Sequence, residues 1–237
     1  MQITYQLSAN AWDGYPVEVR RLMEHHHSMR LCDIGGGANP ILPLDYIARY
    51  RLQYTLLDIS RAELDKAPPG YRTVLADICD PAVTESGPYD FVFSCMVAEH
   101  IRDAKIFYAN IFNMLAPGGI AFHYFLTLYA LPFLANKIIP ERLSAFLLNI
   151  FAQRDRRQRA KFPAYYNWTF GPTPAQINRL TSLGYNILEY RGLYGHIYYN
   201  KIPLLRNLHR LYSNYLVKHP NSYLTSFAYL ILQKPNS

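Results

Sequence analysis

Apolar positions fall into two alternating rhythms through the first half of the chain. Short, mainly apolar runs occupy 29–34, 52–57, 71–76, 89–94 and 120–126, and each reads as a strand. Between them the spacing turns helical. The stretch 15–27 carries Val17, Val19, Leu22 and Met23 as a partial apolar face, and 42–50 and 104–115 follow the same rhythm. Ser60 reads as a helix N-cap, with Glu63 three residues on completing a capping box. Pro117-Gly118-Gly119 breaks the helix ahead of the fifth strand. Strands apolar on both faces and alternating with helices predict a parallel sheet covered on both sides.

After Thr127 the rhythm changes. Residues 128–162 are helical in character, interrupted at Pro132 and Pro140. Thr173 or Pro174 then opens a helix, Gly184 opens a strand, 203–217 reads as helix and 224–232 as a last strand. Ordinary connections run about 2–6 residues, so the long stretch after the fifth strand needs a purpose. We read 128–170 as a helical cap inserted into a single domain spanning 1–237. Its apolar residues, from Leu131 to Phe151, suit a lid over an acceptor pocket, or a homodimer interface. Tyr165, Tyr166 and Trp168 are the candidate acceptor-binding residues at its mouth.

Composition narrows the picture further. Half of the residues are apolar, 17% are charged, and 21 are Tyr, whose rings line cavities as readily as they edge cores. A formal charge of +7 permits an anionic partner. The run Arg154, Arg156, Arg157, Arg159 and Lys161 suits either RNA or a solvated helix end, and no recognised RNA-binding module accompanies it. The N-terminus lacks a basic start followed by an apolar run, so no signal peptide is expected. The most apolar stretch, 120–135, contains His123 and Pro132 and falls short of the roughly 20 residues of a membrane span. Cys32, Cys79 and Cys95 form no Cys-x-x-Cys pair, which fits reduced thiols in a cytoplasmic protein. His25-His26-His27 reads as a helix end, where imidazolium faces the negative pole of the dipole.

The chemistry gathers at strand ends. Leu31-Cys32-Asp33-Ile34-Gly35-Gly36-Gly37-Ala38-Asn39-Pro40 joins a strand to a glycine loop, where the main chain can turn sharply and approach a ligand. The helix expected behind it offers free amides to an anionic group. A dinucleotide fingerprint fails, because Pro40 stands at its last glycine. Asp33 is awkward for a pyrophosphate but suits a cationic ligand. Asp33-x-Gly35-x-Gly37 resembles the first motif of class I S-adenosylmethionine-dependent methyltransferases, with Gly36 inside it. Asn39 takes the place of the third glycine, and Asn also accepts left-handed backbone angles.

That resemblance extends over roughly the first half of the chain. Leu56-Leu57-Asp58-Ile59 resembles the second motif, which implies that Asp58 holds both ribose hydroxyls and that Ile59 packs on the adenine. Leu75-Ala76-Asp77-Ile78 resembles the third, which implies Asp77 on the adenine amino group and the Ile78 amide on a ring nitrogen. Tyr89 to Ser94 resembles the fourth strand, with Ser94 and Cys95 completing the cofactor-binding set, and Leu115 to Gly119 the turn before the fifth. The family implies S-adenosyl-L-methionine as cofactor. It also implies an α/β fold: a doubly wound, seven-stranded, mostly parallel sheet whose last two strands form an antiparallel edge pair. Carboxylates at three consecutive strand ends lie where open parallel sheets bind ligands.

Glu99-His100 follows the fourth strand. His100 is the candidate general base, since an ordinary imidazole titrates near operating pH; it could instead pack beside the cofactor. Ubiquinone-type O-methyltransferases resemble this region and bind a metal through Glu-x-x-Glu-His. Met96 stands at the first Glu here, so no metal is expected. No Asn-Pro-Pro-Tyr or Asp-Pro-Pro-Tyr follows the strand, which argues against methylation of planar amino groups. His123 and His196 could face the acceptor or be structural. The expected function is methyl transfer to an oxygen, with nitrogen second, of a small-molecule, sugar or lipid-like metabolite. The alternatives are an RNA methyltransferase and a cofactor-binding protein without turnover.

Overall fold

A computed structural model describes residues 1–128 and 163–236. The basic run, the apolar set from Leu131 to Phe151 and most of the expected cap therefore lie outside the described residues. The chain begins with β1 (Gln2–Leu7), α1 (Ala11–His25), β2 (Arg30–Ile34), α2 (Leu44–Tyr50), β3 (Gln53–Asp58), α3 (Arg61–Leu64) and β4 (Arg72–Leu75). Then come a 3₁₀ turn at Pro81–Ser86, β5 (Tyr89–Cys95), a second 3₁₀ turn at Ala98–His100, α4 (Ala104–Met114) and β6 (Leu115–Leu126). Beyond residue 162 the elements are α5 (Pro174–Thr181), β7 (Asn186–Tyr194), α6 (Pro203–Lys218), a 3₁₀ turn at Ser222–Leu224 and β8 (Phe227–Gln233).

The strands form one sheet in the order β1-β7-β8-β6-β5-β2-β3-β4. β2 to β6 run parallel, and β8 lies antiparallel between β6 and β7. The doubly wound α/β class is as expected, but the described sheet has eight strands rather than seven. The addition is β1, which pairs parallel with β7 from Gln2↔Glu189 to Leu7↔Tyr194. All six of its side chains are exposed or half-buried. A margin strand needs little apolar surface, so its pattern is too thin to read. β1 also displaces the expected edge: β7 and β8 do pair antiparallel, but both are interior.

Period-two alternation builds the core on both faces. Phe122 and Tyr124 of β6 pack with Phe91, Phe93 and Tyr229 under Tyr15, Val19 and Leu22 of α1. Ala121 and Phe125 face the other way, with Val92 and Leu230, under Phe107, Ile111 and Met114 of α4. α1 starts at Ala11, ahead of the expected residue 15. Gly14-Tyr15-Pro16 looks like a breaker in sequence, yet Ala11 and Tyr15 are buried and Tyr15 stacks on Phe122 with centroids 4.9 Å apart. The Tyr229 hydroxyl also donates to the Ala11 carbonyl. Tertiary burial here overrides what Pro16 costs the helix.

Caps mark the helices that face the site. The Ser60 hydroxyl accepts from the Glu63 amide at 3.3 Å, as the capping pattern predicts, although α3 is only one turn long. Asp103 caps α4 by accepting from Ile106 at 3.1 Å, and Thr173 caps α5 by accepting from Gln176 at 3.3 Å. Asn110 of α4 donates to the carbonyls of Ile78 (2.8 Å) and Asp80 (3.1 Å), which ties the loop after β4 to the helix layer.

Phe122 joins α1 to the sheet and is fully buried. Phe122→Ala should cost roughly 3–5 kcal/mol of stability in urea unfolding, because the ring is lost and its cavity cannot fully collapse. A loss under about 1 kcal/mol would contradict this account of the core.

Candidate active site

The winding of the sheet reverses between β2 and β5, and open α/β sheets bind ligands beyond the carboxyl ends of strands at such a point. Asp33, near the end of β2, is buried, and its Oδ2 accepts from the Tyr54 hydroxyl and from the Ile41 amide at 3.2 Å. The glycine loop lies directly over it. A Cβ on Gly36 would stand 2.5 Å from Asp33 Cγ, and one on Gly37 would stand 2.8 Å from Asp58 Oδ2. Gly35 takes φ +74° and passes so near the loop after β5 that a Cβ would meet Val97 Cγ2 at 2.5 Å. Any side chain in this triplet would push the backbone off two carboxylates or off the loop after β5.

Two details differ from the motif expectation. Asn39 is exposed and has no positive φ; its amide donates to the Gly36 carbonyl at 2.9 Å, so left-handed freedom is not what the position requires. α2 begins only at Leu44, behind the returning Ile41-Leu42 turn, so no helix terminus directly follows the glycines in sequence.

Asp58 ends β3 and is buried. Its Oδ1 accepts from the Ser60 amide at 2.8 Å, while Oδ2 faces Gly37. Ile59 beside it is 58% exposed, an apolar side chain left in solvent at a strand end. Across the ladder Asp58 pairs with Leu75, after which Asp77 lies exposed with its Oδ1 accepting from the Cys79 amide at 2.8 Å. Ile78 buries its side chain in the core.

The electrostatics of this corner favour a cation. Burial pushes the Asp33 carboxyl up to about 7. Its two hydrogen bonds oppose that shift, and the neighbouring Asp58 adds to it. Burial raises Asp58 as well, against the amides of Ser60 and Gly37. Two carboxylates held away from water beside one another are stabilised in their charged form by an approaching positive group.

Past β5 the structure brings together residues far apart in sequence. Ser94 pairs with His123 across the ladder, and its hydroxyl meets His123 Nδ1 at 2.8 Å, so that hydroxyl is committed to the core. Cys95 is half-buried and, like Cys32 and Cys79, a free thiol. Met96 takes φ 55° and donates its amide to Tyr124 at 2.7 Å, which turns the chain into Ala98-Glu99-His100. Residues 163–168 lie across that turn as a strap. The amides of Tyr165 and Tyr166 both donate to the Glu99 carbonyl, at 2.8 and 3.1 Å. His100 Nδ1 donates to the Pro163 carbonyl at 2.9 Å. Arg102 donates to the Tyr165 hydroxyl at 3.1 Å and lies over its ring, and Asn167 donates to the Arg102 carbonyl at 2.8 Å.

The strap thus brings Tyr165 beside the Glu99-His100 turn. Tyr166 is buried beside Leu128. Trp168 is half-buried further along, its ring stacked on Tyr108 of α4 and faced by Arg179.

The side chain the sequence treats only as part of a pair is Glu99. It is fully buried, neither carboxylate oxygen makes a well-formed hydrogen bond among the described residues, and burial, only partly opposed by the nearby amides of Glu99 and Leu126, pushes its carboxyl up to about 8. The Tyr108 hydroxyl and His123 Nε2 are buried without partners too. Burial drives His123 down to about 3, so it is neutral at ordinary pH. His196, beyond β7, has its ring tilted against that of His209 with centroids 4.0 Å apart and donates its amide to that ring at 3.2 Å. The one sequence signal for Glu99 was its apolar approach, Met96-Val97-Ala98, which marks an interior position.

A glycine loop over buried carboxylates at the switch point of a doubly wound sheet defines a Rossmann-like cofactor-binding protein. Residues 15–182 match the methyltransferase domain family, and the chain belongs to it. It is an S-adenosylmethionine-dependent methyltransferase of the class I fold. Among solved structures it is similar to an S-adenosylmethionine-dependent methyltransferase from Archaeoglobus fulgidus, at 12% identity and TM-score 0.55, with 94% of each chain covered. It is also similar to one from Clostridium acetobutylicum, at 11% identity and TM-score 0.56, covering 94% of this chain and 92% of that one. A third is phosphoethanolamine N-methyltransferase 2 from Haemonchus contortus, in complex with S-adenosyl-L-methionine. That likeness has 17% identity and TM-score 0.51, and covers 87% of this chain and 49% of the other. No curated protein matches the chain in sequence. The residues present fit the cofactor: the triplet 35–37 has room only for glycine, and the two buried carboxyls beneath it suit a ligand with a sulfonium and an ammonium.

Glu99 gives this site a pH signature. Its carboxyl titrates near 4.3 when unfolded and about 8 when folded, so the folded state holds the extra proton in between. Stability should therefore fall as pH rises through that window. Glu99→Gln cannot ionise, so its advantage over wild type should grow between about pH 5 and pH 8 in denaturant titrations. Parallel stability curves for the two proteins would contradict the buried, unpaired carboxyl.

Proposed function

We propose that this methyltransferase acts on an oxygen, with nitrogen second, of a small-molecule, sugar or lipid-like acceptor held between the cofactor corner and the strap at residues 163–168. Asp33, Gly35, Gly36, Gly37 and Asn39 would border the amino-acid end of the cofactor, with Ser94 and Cys95 opposite, Ser94 through its main chain. Asp58 would hold the ribose hydroxyls, with Ile59 on the adenine. Asp77 would take the adenine amino group and the Ile78 amide a ring nitrogen. When bound, the cofactor supplies a methyl carbon already activated by its sulfonium.

The chain's own contribution is then mainly positional. Holding the acceptor atom in line with the methyl carbon can supply much of the acceleration. His100 would take the proton that an acceptor hydroxyl must lose as its oxygen binds the methyl group. The observation that carries this reading is the bond from His100 Nδ1 to the Pro163 carbonyl. A carbonyl only accepts, so Nδ1 bears the proton, and Nε2 is the basic nitrogen of the neutral ring. Tyr165 and Tyr166 would line the acceptor side, and Trp168 would brace the strap against α4. We read the chain as one methyltransferase domain, 1–237, with 128–170 as its acceptor-side insertion.

Two measurements test these placements. Asp58→Ala should weaken binding of the cofactor or its demethylated product by about 1.5–3 kcal/mol, since one charged acceptor is lost from a buried contact. Equal affinities in calorimetry would remove Asp58 from the ribose. A labelled-methyl screen of metabolite extracts identifies the acceptor. With it in hand, His100→Ala should lower kcat about 10²–10⁴-fold and abolish the rising limb of the pH–rate profile. Near-normal turnover would leave His100 a packing residue and the catalysis positional.

A further inference from the structure

α6 keeps most of its apolar surface in water. Of its sixteen residues only Ser213 and Leu216 are buried, where the helix meets the β1–β7 margin of the sheet. Leu204, Leu208, Leu211 and Tyr215 recur at i, i+4, i+7 and i+11, which aligns them in one stripe. Their exposures are 70%, 54%, 65% and 57%, with Leu205 (40%) and Tyr212 (47%) alongside. Single exposed leucines are ordinary, but a continuous helical stripe of six apolar residues marks a surface that something covers.

Charge narrows what that is. No Asp or Glu occurs from Tyr190 to the end of the sequence. Arg206 and Arg210 stand one turn apart on the polar side of α6, Lys201 precedes the helix and Lys218 ends it. None of these four makes an ion pair among the described residues, whereas Arg191, nearer the sheet, is paired with Glu189 at 2.6 Å. His209 lies within the helix beside His196, their ring centroids 4.0 Å apart, and burial lowers its pKa. A second copy docked on the same stripe would add another acid-free helix and leave all these cations without counter-charges. Nucleic acid would supply phosphates but would leave the leucines in water. An anionic lipid surface satisfies both halves of the helix at once.

We propose that α6 is an interfacial helix that seats this methyltransferase on anionic membranes. Its Leu–Tyr stripe enters the headgroup boundary, and Lys201, Arg206, Arg210 and Lys218 meet lipid phosphates. Tyr212 and Tyr215 suit that depth, with apolar rings and hydroxyls that stay wet. Among the described residues no helix is long and apolar enough to cross a membrane, and the attachment proposed for α6 is an interfacial one. The proposal does not depend on the identity of the methyl acceptor.

Cosedimentation of the full chain with vesicles tests it. One set is phosphatidylcholine alone; the other mixes phosphatidylcholine equally with phosphatidylglycerol. Wild type should pellet with the mixed vesicles and release as salt rises, because part of the attraction is screened. Arg206→Gln with Arg210→Gln should cut the partition coefficient roughly tenfold or more. Leu208→Asp with Leu211→Asp should nearly abolish pelleting while melting temperature and calorimetric cofactor affinity stay at wild-type values. Absence of wild-type binding to mixed vesicles, equal binding to both vesicle types, or unchanged binding of both variants would overturn the proposal. So would light scattering that shows a wild-type dimer made monomeric by the Leu208→Asp, Leu211→Asp pair, since the stripe would then be a self-interface.

Discussion

Gly36 lies so near Asp33 that a side chain at 36 would fall on the carboxylate itself. The rest of the site follows from that contact. It lets the loop cover a charge-bearing group that two hydrogen bonds, from Tyr54 and Ile41, only partly compensate for lost water. The same close approach repeats at Gly37 over Asp58, and Gly35 brings the loop against Val97 beyond β5. Three strand ends are thus drawn into one corner, where burial raises the pKa of two neighbouring carboxyls. The sheet's reversal of direction between β2 and β5 opens the space, and the glycines permit backbone to occupy its rim.

The strap is held by a different kind of constraint. Tyr166 and Trp168 both adopt left-handed φ, 51° and 55°, which bulky residues seldom tolerate. Such conformations persist where the surroundings over-determine them. Here the surroundings are the two amides on Glu99, the His100–Pro163 and Arg102–Tyr165 bonds, and the stacking of Trp168 on Tyr108. The turn after β5 and the chain after residue 162 therefore form one unit, and the proposed base is oriented by a segment more than sixty residues away.

Beneath that unit the core, among the described residues, holds several polar atoms without partners. Glu99, Tyr108 and His123 bury polar atoms that find no partner among the described residues. Each such group costs about 1–3 kcal/mol relative to a satisfied one. Glu99 and His123 carry it near the carboxyl ends of β5 and β6, the part of an α/β sheet where ligands sit, and Tyr108 carries it from α4. Ser94 is drawn into the same set through His123, which commits its hydroxyl to the core.

Much of this was legible along the chain because it is local. The apolar runs gave β2 to β6 within a residue or two, except that β6 extends back through Pro117-Gly118-Gly119. Ser60 with Glu63 gave a real cap, and the chain pattern put Asp33 and Asp58 at the ends of β2 and β3, with Asp77 just beyond β4. Asp33, Gly35 and Gly37 need only their near neighbours to declare themselves. What pattern could not supply was anything settled by contacts distant in sequence. β1 has almost no apolar signal and is a strand because β7 offers it a free edge. α1 begins at Ala11 because Phe122 and Tyr229 bury its first turn. Glu99 and Tyr165 meet through a backbone carbonyl and an amide, groups that every residue carries and no sequence distinguishes. Periodicity reports which face of an element is buried; which surface buries it is decided only when the chain has closed on itself.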